Sequence, residues 1–117
     1  MSDALPAAFR FAWESGDTAR MSDLLDPDAV LLCDTGGVVD GPLDPINGAT
    51  AIAEWILARF TPGLHRLVST VANSQPALRI ECDGDLVGTL VMRPDEHRLT
   101  MLWLTLNPEK LRSGENS

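Results

Sequence analysis

The apolar residues of this chain follow two periodicities. Up to about Phe60 they recur every three or four positions, and from His65 onward they fall into short runs broken by turn residues. Leu5, Phe9, Ala12 and Trp13 share one helical face, with Ser2 or Asp3 as N-cap, Pro6 near the first turn and Gly16 as the stop. Asp17 can cap a second, shorter helix presenting Met21, Leu24 and Leu25. That helix ends at Asp26-Pro27-Asp28, because proline disfavours helix in the residue before it. Ala29 to Cys33 is a continuous apolar run between turn formers and reads as a buried strand. A loop rich in glycine and proline follows, with acids at Asp34, Asp40 and Asp44. Past Asn47 or Thr50, the residues Ile52, Trp55, Ile56 and Phe60 mark a third helix that Thr61-Pro62-Gly63 terminates.

From His65 to Leu106 four runs of strand length are separated by "NSQP", "DGD" and "RPDEH", each a plausible hairpin connection, which makes an antiparallel meander. Three helices before a meander predict an α+β architecture, with helices packed on one face of a curved, mainly antiparallel sheet. The last run is apolar at both parities, Leu99, Met101 and Trp103 against Leu102, Leu104 and Leu106. A strand apolar on both sides needs two covers, and the helices supply one. A homodimer through the sheet is the expected second cover, since large apolar patches are uncommon on monomers.

Composition narrows the classes. A chain of 117 residues fits one domain, expected over residues 1–112 with a frayed tail at 113–117. Its 44% hydrophobic and 22% charged residues are those of an ordinary globular protein. The net charge of −8 and the absence of a basic run argue against direct nucleic-acid binding and against a membrane-surface patch. The N-terminus has no basic start and is interrupted by Arg10 and Glu14, so no signal peptide is expected and the chain is placed in the cytoplasm. Cys33 and Cys82 lack CxxC spacing and are read as reduced, apolar-like thiols.

Three stretches carry a family resemblance. "SGDTARMSDLLDPDAVLLCDTGG" (Ser15 to Gly37), "ANSQPALRIECDGDLVGTLV" (Ala72 to Val91) and "LNPEKL" (Leu106 to Leu111) resemble the SnoaL-like domains of the nuclear transport factor 2-like superfamily. The similarity is closest to the C-terminal accessory domain of SigJ-type extracytoplasmic-function sigma factors. It implies a cone-shaped fold and, by analogy, a regulatory module with a protein partner in transcription control or a small apolar ligand in the cone. Where those sigma factors carry Asp-Gly-Gly-Gly-Lys, this chain reads Asp34-Thr35-Gly36-Gly37-Val38, so the acid and glycines are kept and the lysine is lost. The motif and loop residues thus singled out are Asp34, Gly36, Gly37 and Val38, with Asn107, Pro108, Lys110 and Leu111 closing the domain.

Enzymes of this fold move protons inside the cone, and this chain has no tyrosine to do so. An isomerase, cyclase or hydrolase would instead use Asp34 as acid/base with His65 or Arg79 as its electrostatic partner. Each has a plainer reading: Asp34 as an Asx turn, His65 as a solvated ring, Arg79 as an ion-pair partner of Glu81 two positions away. Trp13, Trp55 and Trp103, with Glu81, are candidate pocket residues, and packing explains the tryptophans equally well. His97, beside Asp95 and Glu96, reads as a solvated turn residue. No metal-binding spacing and no cofactor motif is present, so neither a metal nor a cofactor is expected.

Overall fold

The computed structural model describes residues 4–34 and 44–106. The expected caps at Ser2 or Asp3, the motif residues Gly36, Gly37, Val38, Asn107, Pro108, Lys110 and Leu111, and the tail at 113–117 lie outside them.

Helix α1 (Ala4–Glu14) buries Pro6, Phe9, Ala12 and Trp13. It closes on Gly16, whose φ of +68° suits glycine, with Gly16 N donating to the Trp13 carbonyl and Asp17 N to the Ala12 carbonyl. Helix α2 (Thr18–Leu24) is capped by Asp17, whose side chain accepts from Arg20 N at 3.0 Å. Helix α3 (Ala49–Arg59) buries Ile52, Ala53 and Ile56 and starts after Gly48 without a side-chain cap.

The sheet is formed by β1 (Leu25–Asp34), β2 (Ile46–Asn47), β3 (Arg66–Ala72), β4 (Gln75–Cys82), β5 (Asp85–Pro94) and β6 (Leu99–Leu106). Their spatial order is β2-β1-β6-β5-β4-β3, with β3 to β6 forming the antiparallel meander. Besides β2, which falls in what reads from sequence as loop, two features depart from the sequence reading. First, β1 begins at Leu25, read above as a helical residue, and its register breaks between Leu25 and Val30, where Pro27 cannot donate to a ladder. Second, β1 joins β6 in parallel, the one non-antiparallel pairing among the described strands.

One face of this sheet is filled from the helices. Phe9, Trp13, Met21, Ile52, Ile56 and Phe60 pack with Leu31, Leu78, Ile80, Leu90, Met92, Leu102 and Leu104 in one cluster. Trp13 sits at its centre, 1% exposed, edge-on to Phe9 and donating from Nε1 to the Phe60 carbonyl at 3.2 Å. The other face carries no described helix, and that face holds most of the candidate residues.

Candidate functional site: the outer face of the sheet

Register defines the outer face row by row. Since Leu31 pairs with Leu102 in the core, the alternation puts their neighbours Leu32 and Trp103 outside. One outer row reads Asp34, Thr105, Thr89, Arg79 and Val68 across β1, β6, β5, β4 and β3. The next reads Leu32, Trp103, Val91, Ala77 and Thr70, and a third begins Val30, Met101, Arg93. Arg93 lays its guanidinium over the Trp103 ring, 5.3 Å from the centroid. A groove of about 370 Å³ runs beside this stack, lined by Asn73, Gln75, Val91, Arg93, Trp103 and Thr105.

The three acid/base candidates do not meet. Asp34 ends β1, exposed and engaged within its own chain. Arg79 lies in the same row on β4, three strand spacings away, about 14 Å along the sheet. Arg79 faces Glu81 at 3.6 Å, with the side chains 48% and 19% exposed, an ion pair whose exposure keeps its contribution small. His65 lies before β3 at the far edge, its ring edge-on to Phe60 at 5.4 Å. Its Nδ1 is 3.2 Å from the Thr61 carbonyl, so the proton sits on Nδ1 in that bond. His65 and Glu81 line one groove of about 280 Å³ with Gly63, Leu64, Arg66, Asp83 and Gly84. Asp34 is absent from both this groove and the one beside Trp103.

The tryptophans also separate. Trp13 is core, whereas Trp55 is half-buried on α3, edge-on to Phe60 at 6.2 Å and under Arg59 at 5.7 Å. Trp103 alone faces the outer groove. Another groove, about 420 Å³, opens between Pro6 and Ala7 of α1 and the β3–β4 hairpin, where Val71 is 70% exposed. Cys33, on the core side of β1, has its thiol pushed above the ordinary 9.0 by burial; nearby Arg59 opposes this and Asp34 adds to it. Neither Cys33 nor Cys82 is in a disulfide. No group of three or more His, Cys, Asp or Glu among the described residues could hold a metal ion.

Sequence reasoning passed over Arg93, Val91, Thr105 and Gln75. A signal existed in the alternation of Val91 and Arg93 with buried Leu90 and Met92. Their meeting with Trp103 depends on cross-strand register, which one sequence does not reveal.

The architecture is the nuclear transport factor 2-like cone. Solved structures with the same fold include a protein of unknown function from Cytophaga hutchinsonii, described as NTF2-like, with TM-score 0.63, 12% identity, and 92% of this chain and 90% of that chain covered. A second is the extracytoplasmic function sigma factor SigJ of Mycobacterium tuberculosis, with TM-score 0.68, 17% identity and 92% of this chain covered. This chain spans 42% of that one. A third is a proposed isomerase from Bacillus subtilis, with TM-score 0.63, 18% identity, and 96% and 90% covered. No family model matches the sequence, and no curated protein matches it. Among the described residues no helix is long and apolar enough to cross a membrane.

Proposed function

We propose that this chain is a SnoaL-like contact module that works by binding protein across the outer face of its sheet, beginning with a second copy of itself. The observation that carries this reading is the separation of Asp34 from Arg79 and His65, which breaks up the acid/base set expected around Asp34. The filled helix-side core points the same way, because Trp13, Phe9 and Phe60 occupy space that an enclosed ligand would need. The likeness to SigJ makes a partner in transcription control the natural class, engaged in the cytoplasm without nucleic-acid contact by a chain of charge −8. Native mass spectrometry of the purified chain tests the reading: a dimer free of bound small molecules is expected, and a monomer carrying a stoichiometric apolar compound would overturn it.

The fold neighbours favour one alternative, an isomerase- or cyclase-type enzyme with Asp34 as acid/base on an apolar substrate. That reading requires Asp34→Asn to leave ligand binding intact while abolishing turnover. The contact reading assigns Asp34 to assembly instead.

A further inference from the structure

Resting on the dimer reading above, we propose that the two copies stack about a two-fold axis running along the strands between β6 and β5, so that Asp34 of each copy faces Arg79 of the other.

The argument is geometric. Asp34, Thr105, Thr89 and Arg79 occupy one row on β1, β6, β5 and β4, with β6 and β5 in the middle. A two-fold axis along the strands, centred between β6 and β5, exchanges β1 with β4 and β6 with β5 while keeping each row in place. It sets Asp34 over Arg79 twice, Thr105 over Thr89, Trp103 over Val91 and Leu32 over Ala77. Large side chains then face small ones in the second row, as interdigitation between stacked sheets requires. Stacked sheets lie about 10 Å apart, a gap that an arginine facing an aspartate spans.

Other two-fold axes do worse. Centring on β6 sets Asp34 over Thr89 and stacks Trp103 on Trp103. Centring on β5 sets Asp34 over Val68 and leaves Arg79 facing Thr105. An axis across the strands matches β1 with β1, setting Asp34 against Val30.

Charge selects this face as well. A chain of net charge −8 repels its own copies, yet the paired outer positions carry Arg66, Arg79 and Arg93 against Asp34 and Glu81. The β3–β4 side carries Arg66 and Arg79 against Glu81, and the end of β1 carries Asp34, an asymmetry that a two-fold exchange converts into complementarity. The intrachain contacts of Asp34 and Arg79 do not oppose this, because a carboxylate accepts at several positions and a guanidinium has five donors.

The test is charge exchange in the 117-residue chain, read by sedimentation equilibrium with circular dichroism to confirm folding. Asp34→Arg alone and Arg79→Asp alone each weaken the dimer by on the order of tenfold or more, since like charges meet at both contacts. Mixed in equal amounts, the two variants form a heterodimer, because opposite charges then face each other at both contacts; the double variant Asp34→Arg/Arg79→Asp also dimerises. A residue needed only within its own chain is not rescued by mixing. Single variants that dimerise like the wild type, or a mixture that stays monomeric beside a dimeric wild type, overturn this arrangement and leave the dimer reading standing. A wild type that is monomeric overturns both. If either reversal fails to fold, Thr105→Lys mixed with Thr89→Glu applies the same test to the neighbouring contact.

Discussion

Trp13 shows how one side chain joins two elements. Its ring fills the cluster between α1 and α3, and its Nε1–H satisfies the carbonyl of Phe60 at the end of α3. Trp13→Ala therefore removes a large buried side chain and strands a carbonyl, and a loss of about 3–5 kcal/mol in urea unfolding is expected. Cys33 makes the second prediction at this scale. Burial raises its thiol pKa, so the folded state holds a proton that the unfolded state releases first. Its stabilising contribution is complete below the ordinary 9.0 and is lost as pH rises beyond it. Stability should fall as pH rises past the ordinary 9.0, and less steeply in Cys33→Ala. The burial of Trp13 was legible from its helical spacing with Phe9. The surroundings of Cys33 were not, because Arg59 reaches its neighbourhood only through the packing of α3 on β1.

At the level of elements, local chemistry wrote most of the boundaries. Gly16 stops α1, Asp17 caps α2, and Asp83-Gly84 turns β4 into β5 with φ of +55° and +85°. Asp17→Ala should lower stability by about 1 kcal/mol, measurable as a reduced urea midpoint with unchanged m. The other hairpin is less well matched, since Asn73 and Ser74 turn β3 into β4 with φ of +54° and +66°. Asn-Gly is the favoured pair for such a turn, so Ser74→Gly should raise stability by about 0.5–1 kcal/mol. A lowered midpoint would mean that the serine side chain holds something the backbone conformation does not require. What the sequence could not display was pairing across distance. The parallel joining of β1 to β6 connects residues about seventy positions apart, and the helical spacing of Leu24 and Leu25 concealed that Leu25 opens a strand.

For the molecule as a whole, the two-sided apolar pattern of β6 was the most informative line of sequence, because helices on one face oblige something to cover the other. The structure divides that pattern between the core, which takes Leu102, Leu104 and Leu106, and the outer face, which takes Met101 and Trp103. The candidate site was legible as residue types and not as a constellation. Asp34, His65 and Arg79 are the right groups for proton transfer, and strand order sets Asp34 apart from the other two. Sedimentation equilibrium of the wild-type chain and of Trp103→Asp, at concentrations around 10 μM, tests the central claim most directly. The account predicts twice the 12.7 kDa chain mass for the wild type and 12.7 kDa for the folded variant. A wild type that sediments at 12.7 kDa throughout would contradict it.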